Sequence, residues 1–161
     1  MTTYQIKANE HQEITLEKPG KYVIELVGEG ASVEIKGIFQ TQQKETCLLE
    51  VVIHHQAPHT KAETVMKGAA KDDSFIQFKG KIVIDQDCGD TQSFLTERVL
   101  LLSETARAEA VPDLEIKTDD VKCSHAASIS SITDEHLFYL QSRGIEKAVA
   151  EQMIVDGFLE I

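Results

Sequence analysis

The sequence has 161 residues and a mass of 17.9 kDa, and its 42% hydrophobic content is enough to bury one core and excludes a disordered chain. Its 27 acidic residues outnumber 16 basic ones, and the formal net charge of −11 argues against binding nucleic acid or anionic lipid, because both require a basic surface. Three widely spaced cysteines exclude a disulfide scaffold, and a polar N-terminus without a long apolar run leads us to expect a cytoplasmic protein with reduced thiols.

Short β-strands are predicted from Tyr22 to Ile132, because apolar side chains recur there with period two. We expect residues 1–20 to cap the first strands, so that residues 1–132 form one β unit. Gly80, Gly89 and Pro112 are predicted to be turn residues. The predicted strands include residues 33–35, 49–53, 62–66, 75–78, 81–84, 93–102, 108–111 and 114–116.

The alternating pattern predicts these strands but does not specify how they are arranged. No Asn-Gly hairpin turn and no helix-length segment separates them. Many short strands with polar corners are typical of a sandwich, a barrel or a β-solenoid. The residues by themselves leave these three architectures open.

A helical hairpin packed on the β unit is predicted for residues 133–161. Thr133 is the expected N-cap of the first helix, with carboxylates in its first turn and an apolar face that includes Leu137 and Phe138. Gly144 is expected to end that helix. The second helix is predicted over residues 146–155, with Val149 and Met153 on its apolar face and its end at Gly157.

Several ordered segments of the chain are similar to one protein family. The runs DDVKCSH at Asp119–His125 and LFYLQSRGI at Leu137–Ile145 are the most specific, and DGF at Asp156–Phe158 follows them. Upstream segments that agree are HHQAPHT, KG, FKGKIVI and LLLSETARAEAVPDLEI. Together these segments resemble the SufB/SufD family of iron–sulfur cluster assembly proteins, and SufD more than SufB. The resemblance covers roughly residues 30 to 158, the family's core and the start of its C-terminal helical region.

This resemblance implies a right-handed parallel β-helix followed by C-terminal helices. It also implies a protein without catalytic activity of its own that pairs through its β-helix and contacts an ABC-type ATPase subunit of the SUF system. The expected ATPase-contact region is formed by Leu137, Phe138, Tyr139, Arg143 and Gly144. We expect a homodimer, because an uncovered solenoid edge is prone to association.

Cys123 and His125 are the candidate ligands for iron or a transient iron–sulfur cluster. Residues i and i+2 of a strand share a face, with Cα atoms about 6.5–7 Å apart, so a thiolate and an imidazole there can reach one iron atom. Two ligands are too few for a cluster, so the remainder must come from outside the chain. By resemblance the pair lies near a protomer interface. The alternative for Cys123 is a small buried core residue, and the alternative function is a β-solenoid adaptor that binds partners without iron.

Two other clusters are weaker candidates for metal sites. His54, His55 and His59 would not share a face, and a polar corner is the simpler interpretation. Asp85, Asp87 and Asp90 lack the spacing of a calcium loop. A polysaccharide lyase would use such carboxylates with Arg98 or Lys81 as base, but no spacing in the sequence supports it.

Overall fold

The computed structural model describes residues 1–160, and Ile161, the last residue of the predicted hairpin, lies outside the described residues. Ten strands precede two helices in the chain. The strands are β1 (Thr2–Ile6), β2 (His11–Leu16), β3 (Gly20–Leu26), β4 (Ser32–Thr41), β5 (Thr46–His55), β6 (Lys61–Ala70), β7 (Phe75–Ile84), β8 (Thr91–Leu101), β9 (Arg107–Ile116) and β10 (Val121–Ser131). The helices are α1 (Asp134–Gln141) and α2 (Lys147–Leu159).

The strands form two parallel sheets with five strands each. The odd-numbered strands stack in the order β1-β3-β5-β7-β9, and the even-numbered strands stack as β2-β4-β6-β8-β10. Because consecutive strands alternate between the sheets, the chain winds as a parallel β-solenoid of about four turns. Val51, Gly80 and Pro112 occupy the same place in successive coils. The predicted mainly β fold, a β-helix followed by helices, is confirmed.

The period-two pattern of the sequence corresponds to alternation between the interior and the surface. In β4 the burial alternates strictly, with Val33 and Ile35 inside and Glu34 and Lys36 outside. Inward side chains from all coils form one hydrophobic core, in which the fully buried residues include Ile24, Ile53, Phe78 and Ile82. Burial of this apolar surface is the main force that stabilises the solenoid.

Strands begin earlier in the chain than the sequence pattern predicts. β1 and β2 lie within residues 1–20 and pair with β3 and β4. Their inward side chains, which include Ile6 and Leu16, are almost completely buried. The first turn is therefore made by residues that carry only a short alternating pattern.

Gly80 and Pro112 lie within strands, so the prediction that they are turn residues is wrong. Gly80 is in the middle of β7, where a Cβ atom would approach His125 Cε1 and both Leu95 methyl groups to 2.8 Å. Pro112 is in β9, the last strand of its sheet, where a missing backbone N–H is tolerated. Close packing thus requires glycine at position 80, whereas the edge strand merely tolerates proline at position 112.

The first helix begins at its predicted N-cap, whereas the second helix is longer than predicted and packs on the solenoid through a different face. The Thr133 side chain accepts a hydrogen bond from the His136 backbone N–H at 3.3 Å, as predicted for the N-cap of α1. α2 continues through Gly157 to Leu159, past its predicted end. The extension has a physical reason, because Val155 and Leu159 pack with Ala69 and Leu100 in a second hydrophobic cluster. The predicted apolar face of α2 is instead exposed, with Val149 at 52% and Met153 at 49%.

The last coil, formed by β9 and β10, is open at the C-terminal end of the solenoid. Leu114, Ile116 and Ile129 are 41–46% exposed, although their partners in register one coil earlier, Ile82, Ile84 and Val99, are fully buried. The first coil shows no such exposure at Ile6 or Leu16. The solenoid therefore has one apolar open end.

Within residues 1–160, neither helix is long and apolar enough to span a membrane.

Candidate metal centre at the last coil

β10 places both predicted ligands on the inward face of the last coil. Cys123 pairs in register with Ser93, and His125 pairs with Leu95, so both residues stack over the interior of β8. The intervening Ser124 is exposed. The strand geometry thus brings the thiol and the imidazole to the same side of the chain.

Cys123 is a half-buried thiol that packs against the main hydrophobic core. Burial raises its pKa, because a thiolate is poorly solvated in apolar surroundings. A bound metal has the opposite effect, since a coordinating thiol is deprotonated outright. Without a metal, Cys123 therefore behaves as a neutral, weakly nucleophilic thiol rather than as a reactive one.

The His125 ring turns into the solenoid rather than toward its open end. Only 2% of its side chain is exposed, and its Cε1 atom lies over the space left by the missing side chain of Gly80. Leu95 contacts the same space. Gly80 thus provides the room in which the imidazole sits.

Glu97 is the residue at this site that sequence analysis missed. It lies on β8 with its side chain inside, between the buried Leu95 and Val99, and it is completely buried. Its Oε2 atom is 3.4 Å from Nε2 of His125. The signal available in the sequence was the period-two pattern, because Glu97 is two positions from both Leu95 and Val99 and therefore shares their face of the strand.

Several buried polar atoms around this pair have no hydrogen-bond partner within the described residues. They are both carboxylate oxygens of Glu97, both ring nitrogens of His125, Ser93 Oγ and Thr64 Oγ1. Buried polar groups are nearly always hydrogen-bonded, and an unpaired buried carboxylate is particularly unfavourable. Nitrogen, oxygen and sulfur donors of this kind suit iron. These donors suit iron in chemical type, but a complete site needs further ligands, because no three Cys, His, Asp or Glu side chains in residues 1–160 converge to hold one metal.

The three histidines of the HHQAPH run do not meet. His54 Nε2 is 2.8 Å from an oxygen of Asp85, and buried His55 is 2.7 Å from the Thr60 hydroxyl. His59 is at a corner with φ of 57° and is 3.0 Å from Asp90. Only His59 lies at a corner, since His54 and His55 are the last two residues of β5, and each of the three histidines has a side-chain partner of its own rather than a backbone one.

The aspartates near Gly89 also have separate partners, since Asp85 contacts His54 and Lys117, whereas Asp90 contacts His59. Hydrogen bonds to Glu115 and Asp113 raise the pKa of Lys81, which is the opposite of what a general base requires. These contacts give no support to the lyase alternative.

The predicted ATPase-contact region is divided between the interior and the surface. Leu137 is buried, whereas Phe138 is 73% and Tyr139 is 57% exposed. The Arg143 guanidinium lies 4.8 Å from the centroid of the Tyr139 ring, and Gly144 has a left-handed φ of 84°. Phe138, Tyr139 and Arg143 thus form an exposed aromatic and cationic surface on the helical end.

The chain is similar to known iron–sulfur cluster assembly proteins over most of its length. A family model described as "SUF system FeS cluster assembly, SufBD core domain" matches residues 11–158. The iron–sulfur cluster assembly protein SufD of Escherichia coli is 34% identical over 83% of this chain and 32% of its own length. A SufBD family protein of Pyrococcus horikoshii is 36% identical over 83% of the chain and 30% of its own.

A SufBD family protein of Mycobacterium tuberculosis is 32% identical over 84% of the chain and 36% of its own length. The chain thus spans about a third of the length of the curated relatives it matches. The matched segment includes the whole solenoid from β2 onward and both helices, to Phe158. The chain belongs to the SufB/SufD family of SUF-system iron–sulfur cluster assembly proteins.

Proposed function

We propose that this chain is a non-catalytic scaffold component of iron–sulfur cluster assembly, in which Cys123 and His125 bind iron or a transient cluster as cargo. The observation that carries this proposal is their shared inward face on β10, the last strand of its sheet. Unpartnered buried donors beside them support it, because such atoms are stabilised by a bound cation.

The remaining cluster ligands come from a second chain. Because the two residues alone are too few for a cluster, the scaffold acts as a homodimer joined at the open last coil. Leu114, Ile116 and Ile129 supply the apolar contacts, and burying them against a second copy removes the exposed edge. Cys123, half-buried on the edge strand, lies beside this interface.

The helical end contacts an ABC-type ATPase subunit of the SUF system in the cytoplasm. Phe138, Tyr139 and Arg143 form the contact, while buried Leu137 supports α1 from beneath. Aromatic residues and arginine are the side chains most often found at the centre of protein interfaces.

Anaerobic reconstitution with ferrous iron and sulfide tests the cluster proposal. We expect visible absorbance from the wild-type protein that is lost in Cys123→Ser and in His125→Ala. Cys88→Ser and His136→Ala are the matched controls, because Cys88 lies deep in the core and His136 is exposed on α1. Unchanged absorbance in both Cys123→Ser and His125→Ala would refute ligation and leave a structural adaptor as the function.

Light scattering tests the dimer at micromolar concentration. We expect the mass of two chains for the wild type and of one chain for Ile129→Lys, since the lysine places a charge in the apolar contact. Leu48→Lys is the control, because Leu48 is also exposed, at 52%, but lies on the outer face of β5. A monomeric wild-type protein would overturn the homodimer.

A pull-down with the ABC-type ATPase tests the helical end. We expect Phe138→Ala with Tyr139→Ala to reduce capture, whereas Val149→Ala, which is also exposed on the helices, does not. Equal capture by the double variant and the wild type would remove α1 from the contact.

A further inference from the structure

We propose that Glu97 and His125 together form an internal binding site for a single divalent first-row metal ion. The proposal deepens the function given above and rests on it for the identity of that ion as ferrous iron. It adds a carboxylate ligand from β8, one coil before the strand that carries Cys123 and His125.

The first argument is the burial of both groups without partners. Glu97 is 0% exposed and His125 has 2% of its side chain exposed. In the part of the chain that the structure describes, neither carboxylate oxygen and neither ring nitrogen makes a hydrogen bond. A carboxylate in such a place requires a cation, which can be an imidazolium at His125 or a bound metal ion, because the apolar neighbours Leu95 and Val99 supply none.

The second argument is the distance between the two facing atoms. Glu97 Oε2 and His125 Nε2 are 3.4 Å apart, which is longer than an ordinary N–H···O hydrogen bond. Two ligand atoms that are each about 2.1 Å from one tetrahedral metal ion lie about 3.4 Å from each other. The pair is therefore spaced as two ligands of one ion are.

The third argument is the surroundings of the pair. Ser93 Oγ and Thr64 Oγ1 are also buried and unpartnered on the same interior, and Thr64 is in register with Leu95, the neighbour of His125. Their hydroxyls can hydrogen-bond water molecules that complete the coordination of the ion.

Together these observations place the single ion and the cluster in two neighbouring parts of the site. Glu97 and His125 hold a ferrous ion inside the coil, and the Cys123 thiol lies two residues from His125 at the interface where sulfide and further ligands arrive. The hard carboxylate suits an isolated ferrous ion and the soft thiolate suits a cluster, whereas the imidazole of His125 is a suitable ligand for both.

Anaerobic titration of the full chain with Co²⁺ alone, without sulfide, tests the site through its visible d–d absorption. We expect saturable binding by the wild type and at least tenfold weaker binding by Glu97→Gln, which keeps the size of the side chain. Glu63→Gln, on the outer face of β6, is the control and binds as the wild type does.

Thermal unfolding with and without metal separates ligation from a structural role. Glu97→Gln keeps the size of the side chain but removes the carboxylate ligand, so we expect the rise in unfolding midpoint that Co²⁺ causes in the wild type to disappear in this variant. If Glu97→Gln does not fold, His125→Gln takes its place with the same expected loss of cobalt binding. Wild-type affinity in either variant shows adventitious binding and overturns the proposal, as does the absence of saturable binding by the wild type.

The two proposals fail in distinguishable ways. A cobalt site that depends on Glu97, without a chromophore after addition of iron and sulfide, contradicts the cluster proposal and keeps the internal ion site. A sulfide-dependent chromophore that needs Cys123 and His125 but not Glu97, without cobalt binding, contradicts the internal site and keeps the cluster proposal.

Discussion

Replacing Gly80 by alanine tests the packing that seats His125. The added Cβ would lie 2.8 Å from His125 Cε1 and from both Leu95 methyl groups, although carbon atoms in contact are usually about 3.5–4.0 Å apart. Such overpacking costs about 1–3 kcal/mol. Alanine gains back about 0.5–1 kcal/mol relative to glycine within a strand. We therefore expect a net loss of about 0.5–2 kcal/mol in the free energy of unfolding.

Urea unfolding measures this loss, and Gly157→Ala is the matched control. Gly157 is inside α2 with no atom within 4 Å of an added Cβ, so alanine there should stabilise the chain by about 1 kcal/mol. Because the atoms that clash with Gly80→Ala are the ends of side chains, we also expect the His125 ring to move, with a change in its NMR signals. A variant as stable as the wild type with unchanged His125 signals would refute the reasoning.

Three further predictions concern α2, α1 and a buried histidine. Leu159→Ala should cost about 2 kcal/mol in urea unfolding by undocking the end of α2, whereas Val149→Ala, at an exposed position of the same helix, should cost little. Thr133→Ala should cost about 1 kcal/mol by removing the N-cap of α1, and Thr133→Ser, which keeps the hydroxyl, should restore it. Burial lowers the pKa of His55 to about 4, so the unfolded chain binds this proton more readily than the folded chain between pH 6.5 and 4. Stability from this residue is therefore full above pH 6.5 and falls by about 3 kcal/mol as the pH drops toward 4. NMR titration of the His55 ring checks it, and an ordinary midpoint near 6.5 would contradict the prediction.

The sequence pattern predicts the strands better than their arrangement. Alternation such as that of Val33 and Ile35 follows directly from the geometry of a strand, and it is the same in a sandwich, a barrel or a solenoid. Gly80 and Pro112 were wrongly predicted as turn residues, because the packing against His125 and the position of an edge strand are properties of the folded molecule that the local sequence does not carry. The resemblance to a family resolved the architecture that periodicity left open.

The candidate site was also predictable only in part, because some of its residues are placed by local strand geometry and others by the pairing of distant strands. Cys123 and His125 are two residues apart on one strand, so local geometry alone places them on one face. Glu97 comes from β8, and only the register between β8 and β10 brings it to His125. On α2, apolar spacing pointed to Val149 and Met153, whereas the docked side is set by where the solenoid presents Ala69 and Leu100.

The most direct test of the central claim, that His125 binds the cluster, is pulsed electron paramagnetic resonance of the reconstituted and reduced protein carrying ¹⁵N-labelled histidine. We predict a ¹⁵N coupling to the cluster in the wild type that is absent from His125→Ala and retained in His136→Ala. A wild-type cluster without any histidine coupling, or a coupling that persists in His125→Ala, would contradict the claim.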